Sequence, residues 1–244
     1  GITTQDIVKI QKHILGQTPL NSAYKLIAAD VNNSGSVTAA DMSELRKLIL
    51  GLTSEFSKVK SWTFIPSGYV FPDANNPWNA PRTSSLMLDN NKVVDFVAVK
   101  MGDVTNDARA SNASNTQSRT NGVLNIEVDE KSVVAGESYK VSFKSSDFNN
   151  ISGYQFTFEG MEGGVLKATE ANFGTNRLNE GIITTSWNSN KGESFGKDAE
   201  LFTLVFKATR NGKVSQMFAI TSDVTKAQAY NASEEVKEVR MGVR

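Results

Sequence analysis

The residues best equipped for chemistry in this chain are oxygen donors rather than nucleophiles. In Asp30-Val31-Asn32-Asn33-Ser34-Gly35-Ser36-Val37-Thr38-Ala39-Ala40-Asp41, oxygen-bearing side chains stand at the first, third, fifth and twelfth positions, with glycine at the sixth. A hard cation such as Ca2+ takes about six to eight oxygens, and this is the spacing with which an EF-hand-type loop wraps a chain around it. Asp30, Asn32, Ser34 and Asp41 would give side-chain oxygens and Ser36 a backbone carbonyl, while Gly35 permits the sharp turn. The competing explanation is an ordinary polar turn before a helix capped by Asp41. The agreement of five positions with the helix that follows favours the metal. An aspartate at the last position and two neutral ligands imply a modest affinity.

A second set is incomplete in sequence order. Asp103, Thr105 and Asp107 have the one-three-five spacing of the first half of such a loop, and Asp6 stands where a twelfth-position ligand belongs. The expectation is a split site in which 103–107 return to Asp6. The alternative is a polar turn with no metal.

Other chemistries find little support. The chain has no cysteine and one histidine, His13, and lacks a Gly-x-Ser-x-Gly motif, so activated nucleophiles of the usual kinds are missing. His13 reads as a partly buried structural residue. Two carboxylates could serve glycoside hydrolysis, but none of the many acidic residues stands out as a pair, and the chain reads as not an enzyme. Trp62, Tyr69 and Trp78 could stack on sugar rings, since aromatic faces make apolar platforms. The plainer reading is that they pin a long loop, and Trp187 is read as sandwich core.

The elements that must position these residues follow from periodicity. Asp6–Gly16 aligns without gaps on Asp41–Gly51. Apolar residues recur at helical spacing in each copy (Ile7, Ile10, Ile14, Leu15; Met42, Leu45, Ile49, Leu50), predicting two helices whose apolar stripes face each other. Gly16 and Gly51 stand where left-handed C-caps are expected. A shorter helix is predicted over Ser22–Ala29. Residues 61–101 read as an irregular, aromatic surface excursion. Residues 108–122 contain no large apolar residue and read as a linker. Beyond it, Leu124–Val128, Tyr139–Phe143, Tyr154–Phe158 and Leu201–Phe206 alternate as strands, punctuated by turns at Ala135-Gly136-Glu137, Gly163-Gly164 and Asn211-Gly212, which argues for an antiparallel sandwich.

The 244 residues suffice for two modest domains. The expected division is 1–107 for a calcium-binding domain with an insertion at about 52–101, 108–122 for the linker, and 123–244 for the sandwich. Lys+Arg and Asp+Glu both number 26, so no basic field points to nucleic acid. No apolar run approaches the roughly 18 residues of a membrane span. Gly1 at the start and the lack of a signal peptide read as a piece of a longer chain.

The repeated helix, with Asp41-Met42-Ser43-Glu44-Leu45-Arg46-Lys47-Leu48-Ile49-Leu50-Gly51 as its fuller copy and the loop ahead of it, resembles a type I dockerin. The resemblance covers about residues 1–51 and 102–107, and departs from the family in that the first loop lacks its early ligands in place. Val133–Glu137, Ile151–Phe158 and Glu200–Ala208 make the second domain similar to a cohesin or a related carbohydrate-binding sandwich. The order of modules is similar to the C-terminal part of large secreted Bacteroidetes surface proteins exported by type IX secretion. The resemblance implies a small all-α, EF-hand-like dockerin domain with a long insertion, linked to an all-β antiparallel cohesin-like sandwich. It implies Ca2+ as cofactor, an extracellular or cell-surface location, and a cohesin- or dockerin-like partner in cis or in trans. Lys9, Lys12, Ser43 and Lys47 would be the surface residues of such a contact. The leading expectation is a non-catalytic attachment module of an adhesin-type protein. The other is an ancillary glycan-binding or docking module of a polysaccharide-degrading system, with surface glycans as ligands.

Overall fold

A computed structural model describes residues 1–85, 91, 93–109, 120–160 and 172–244. Most of the expected linker (110–119) and the Gly163-Gly164 turn lie outside the described residues. The chain divides into two compact units, Gly1–Leu48 with Thr53–Ala113, and Ile49–Leu52 with Ser114–Arg244.

The first unit contains three helices, α1 (Thr4–Ile14), α2 (Ala23–Ala29) and α3 (Ala39–Ile49). Asp6 lies in the first turn of α1 and Lys12 and His13 in its last, the distribution that suits the helix dipole. Gly16 and Gly51 follow α1 and α3 with φ of 69° and 66°, the left-handed caps that the repeat predicts. The buried apolar residues of the unit include Ile7 and Ile10 of α1, Leu26 and Ile27 of α2, and Leu45 of α3. The expected stripe is incomplete in the first copy, because Ile14 and Leu15 are 39% and 54% exposed while their equivalents Ile49 and Leu50 are buried.

The excursion is more regular than its sequence reads. Strands β1 (Trp62–Pro66) and β2 (Phe96–Lys100) pair antiparallel, with Trp62 opposite Lys100 and Pro66 opposite Phe96. Ile65 and Val99 are buried, whereas Phe64 and Phe96 are exposed. Because both faces carry apolar residues, the period-two signal of a half-buried strand is missing from this stretch. Tyr69 packs edge-on to Phe71, which in turn meets Tyr24 of α2 edge-on, at centroid distances of 5.0 and 5.2 Å.

The second unit is built from strands β3 (Val123–Val128), β4 (Ser132–Val133), β5 (Ser138–Lys144), β6 (Ile151–Glu159) and β7 (Asn172–Gly174). They are followed by β8 (Ile182–Glu193), β9 (Phe202–Lys207), β10 (Gly212–Lys213), β11 (Ala219–Thr221), β12 (Gln228–Asn231) and β13 (Val236–Val243). Eight pair in the order β7-β8-β6-β12-β13-β3-β5-β9, β11 joins β6, and β4 pairs with β10. The pairing is antiparallel except between β3 and β13. Phe143 of β5 and Phe158 of β6 lie 5.2 Å apart, and Phe158 and Phe202 of β9 lie 5.9 Å apart. Three strands separate β6 from β5 in the hydrogen-bonded order, so these contacts require the sheet to fold over one aromatic core, which makes it a sandwich.

The alternation of β6 predicts one buried face, but nearly the whole strand is buried. Its polar face is covered by the segment around 225. Thr157 Oγ1 donates to the Thr225 carbonyl and accepts from the Thr225 N–H, and Gln155 Nε2 donates to the Lys226 carbonyl. Trp187 stacks on Tyr154 at 5.3 Å and meets Phe148 edge-on, placing it against the core as its sequence setting suggests.

Candidate functional site

The loop ahead of α3 is organised by its two terminal carboxylates. Asp30 Oδ1 accepts from the Ser34 N–H at 2.8 Å, and Oδ2 accepts from the Gly35 N–H at 2.9 Å. Asp41 Oδ1 accepts from the Asn32 N–H at 3.2 Å, while Oδ2 takes the Thr38 N–H at 2.9 Å and the Thr38 hydroxyl at 3.2 Å. Gly35 has a φ of 75°, a conformation an L-residue adopts only at a cost. The Ser34 hydroxyl donates to the Ser36 carbonyl at 3.1 Å. Asp30, Asn32, Ser34, Ser36 and Asp41 are therefore gathered around one turn.

Asp6 and residues 103–107 come together across 98 positions of sequence. Asp6 Oδ1 accepts from the N–H groups of Val104 and Thr105 at 2.9 and 3.0 Å. Its Oδ2 takes the Thr3 N–H at 2.8 Å and the Thr3 hydroxyl at 3.3 Å, as Asp41 does with Thr38. Asp103 in turn behaves like Asp30. Its Oδ1 accepts from the N–H groups of Asn106 and Asp107 and from the Thr105 hydroxyl, and its Oδ2 from the Ala108 N–H. The two loops share a further detail, a left-handed asparagine at the fourth position (Asn33 φ 54°, Asn106 φ 61°). The spacing of Asp103, Thr105 and Asp107 is one part of the signal in the sequence. The fuller signal is the match of Asp30-Val31-Asn32-Asn33-Ser34 to Asp103-Val104-Thr105-Asn106-Asp107, in which the Asp, Val and fourth-position Asn are identical and both valines are buried. The match ends at the sixth position, where Ala108 replaces glycine.

Asp6, Asp30, Asp41 and Asp103 are all buried, and Asp107 is exposed. Burial pushes the Asp6 carboxyl up to about 7, the nearby Asp103 and Asp107 carboxylates add to the rise, and the N–H groups of Thr3 and Thr105 oppose it. Burial also raises Asp41, with Asp30 adding to it. The Asn32 side-chain oxygen, at the third position, is buried with no hydrogen-bond partner among the described residues. A buried acceptor without a donor is costly, and a cation in the loop would satisfy it. No three carboxylate, imidazole or thiol groups converge in metal-holding geometry among the described residues. The sets here would rely on amide, hydroxyl and carbonyl oxygens for their remaining ligands, the oxygen types that suit Ca2+.

The residues expected at a partner surface lie on two helices. Lys9 and Lys12 of α1 are half-buried, and Ser43 and Lys47 of α3 are exposed. Lys47 pairs with Glu44 at 2.7 Å. Ile14 and Leu15 at the end of α1 are exposed although helical periodicity counts them in the apolar stripe. His13 is half-buried and its Nδ1 accepts from the Leu20 N–H at 3.2 Å, a structural role that needs the neutral ring.

Of the three aromatic residues considered for sugar stacking, Tyr69 pins the excursion through Phe71. Trp62 and Trp78 instead border a recess of about 230 Å³ beside the 30–41 loop.

The sequence model of the type I dockerin domain matches residues 1–50. No curated protein matches the chain in sequence. The chain is similar to the second type II cohesin module of a cellulosomal adaptor scaffoldin from Acetivibrio cellulolyticus, at 17% identity over 50% of this chain and 92% of that one, with a TM-score of 0.33. It is also similar to a type I cohesin–dockerin complex from Clostridium thermocellum (12% identity, 50% and 100% of the two chains, TM-score 0.33). A non-cellulosomal cohesin from Archaeoglobus fulgidus is similar at 13% identity over 50% and 83%, with a TM-score of 0.29.

Proposed function

From the type I dockerin match over residues 1–50 and the shared hydrogen-bonding plan of two acidic loops, we propose that the chain is a non-catalytic protein-docking module organised by Ca2+. The observation that carries this reading is the pairing of Asp6 with 103–107 in the same arrangement that joins Asp41 to 30–34. Asp30, Asn32, Ser34, the Ser36 carbonyl and Asp41 would hold one ion, and Asp6, Asp103, Thr105 and Asp107 a second. The ion's charge would offset carboxylates crowded in a buried setting, and binding to the folded state alone stabilises it by mass action.

The docking surface of this reading runs along α1 and α3. Ile14 and Leu15 supply an exposed apolar anchor, with Lys9, Lys12, Ser43 and Lys47 as polar surround. Interfaces draw most of their energy from a few such anchors. The partner class is a cohesin-type module, in cis or in trans, and the sandwich of this chain is a candidate for that role in another copy. The setting that suits such modules is the cell exterior, as part of a surface protein or a polysaccharide-degrading assembly, with type IX secretion as the export route. Among the described residues, no helix is long and apolar enough to cross a membrane.

Binding of the chain to type I and type II cohesin modules, and to itself by sedimentation velocity, would be measured in calcium and in chelator. Calcium-dependent association that is lost in Ile14→Ser/Leu15→Ser supports docking. Failure to associate with any cohesin module or with itself in calcium would contradict it.

A further inference from the structure

The recess beside the 30–41 loop is built mainly by the excursion, and nothing in the docking reading uses it. Trp62 at the start of β1 and Trp78 border it, with the buried Ile27 and Met101 also on its lining. Trp78 packs against the loop itself, since a Cβ placed on Gly35 would meet its indole at 3.9 Å. Lys100 Nζ lies 5.5 Å from the Trp62 ring centroid. Lys58, Lys60 and Arg82 add three cationic side chains to the lining; none is within salt-bridge distance of a carboxylate among the described residues, but Arg82 feels the charge of Asp30, so three cations face one carboxylate. The acidic residue on the lining is Asp30, whose two oxygens are engaged by the Ser34 and Gly35 N–H groups. The recess thus keeps an excess of positive charge. Asn33 and Thr63 complete the polar lining with groups that both donate and accept hydrogen bonds.

We propose that this recess binds an anionic sugar residue, carboxylated or sulfated, with its apolar ring face against the tryptophans and its charge toward Lys58, Lys60 and Arg82. A volume of about 230 Å³ is below the roughly 300–1,000 Å³ of pockets that enclose whole drug-sized ligands, which fits one ring of a chain rather than an oligomer. Lys100 covers one face of Trp62 and Trp78 leans on the loop at Gly35, so the apolar platform is the indole surface that remains toward the recess, and the guanidinium of Arg82 offers a fork matched to a carboxylate or sulfate. Acceptors as well as donors on the lining favour a hydroxyl-rich ligand over a bare phosphate. A nucleic-acid strand also stacks on aromatics in positive grooves, but it would call for a longer basic track than one recess in a chain whose formal net charge is zero. The site stands on the tryptophan and cation geometry and does not rest on metal binding by the loop.

The test is a fluorescence and calorimetric titration of the full chain with trigalacturonate, a sulfated galacto-trisaccharide, the neutral galacto-trisaccharide and a single-stranded hexanucleotide, each in calcium and in chelator. Saturable tryptophan quenching by a charged trisaccharide, at least about tenfold tighter than by the neutral one, is expected, since a charge-assisted hydrogen bond is worth about that factor. The two charged sugars distinguish carboxylate from sulfate. Arg82→Gln should weaken binding by about tenfold and Trp62→Ala by more, with at most a small change in melting temperature for Arg82→Gln, because its side chain is exposed and meets Asp30 only through charge. The control Arg240→Gln, on the sandwich, should bind as the parent does. Equal affinity for the neutral sugar, tighter binding of the oligonucleotide, absence of saturation, or full affinity in Arg82→Gln would each overturn the proposal. A separate calcium titration of the same protein reports on the docking reading, so failure of one reading is distinguishable from failure of the other.

Discussion

At the scale of single residues, the loop 30–41 is legible because ligand spacing is local: five oxygen positions and one glycine lie within twelve residues. The second set is only half legible. The Asp103–Asp107 pattern can be read from sequence, but its hydrogen bonds to Asp6 join residues 98 and 99 positions apart, and no local pattern encodes that return. The two sets can be separated by substitution. Asp30→Asn is expected to remove one bound calcium and Asp103→Asn the other, each read as a fall of one in calorimetric stoichiometry. In chelator, Asp103→Ala, which removes the acceptors of the 105–108 donors together, should lower stability by about 1–3 kcal/mol, net of the repulsion with Asp6 that it relieves. A neutral result in chemical denaturation would mean that those bonds are not formed in solution. His13 supplies a test independent of metal. Burial holds its imidazole below the usual value, and its Nδ1 must be unprotonated to accept from Leu20. The depressed folded value means that its contribution is present above the unfolded pKa of about 6.5 and is lost as pH falls through the lower folded value. With calcium present, the melting-temperature difference between the parent and His13→Gln should shrink from pH 7.5 to pH 5. A difference that grows toward acid would refute this role.

Among the elements, the helices are readable from their repeat and the sandwich strands from their alternation. The excursion is not, because apolar residues on both faces of β1 and β2 erase the signal that marks a strand. Periodicity likewise assigns Ile14 and Leu15 to the core, although they are exposed. What periodicity cannot see is how the chain leaves β2 and returns to α1. Gly102 does this with a φ of 87°, and a Cβ there would stand 2.7 Å from Leu45 Cδ2 and 3.0 Å from Ile2 Cδ1. Gly102→Ala should therefore cost about 1–3 kcal/mol of stability through backbone strain alone, and weaken the 103–107 calcium more than the 30–41 calcium. An unchanged melt and unchanged binding would show that the return path tolerates a side chain. In the sandwich, Phe158 touches Phe143, Phe156 and Phe202, so Phe158→Ala should destabilise that unit by about 3–5 kcal/mol in denaturant unfolding. A loss below about 1 kcal/mol would mean that the two halves of the sheet are not packed through these rings.

For the molecule as a whole, composition bounds the answer more than it gives it. Balanced charge, one histidine and no cysteine point away from nucleic-acid binding and thiol chemistry, while the shift from helical repeat to alternating strands marks two kinds of structure in one chain. The recess beside the 30–41 loop has no legible signature beyond two tryptophans, since Lys58, Lys60, Trp62, Trp78 and Arg82 meet only through the path of the excursion. In the proposed function calcium is the organiser of the N-terminal unit. The direct test is isothermal calcium titration of the chelator-stripped chain, with melting temperature followed in parallel. Two bound ions per chain, with a marked rise in melting temperature, are the predicted result. One ion would keep the 30–41 loop and remove the split site, and no binding at millimolar calcium would contradict the central claim.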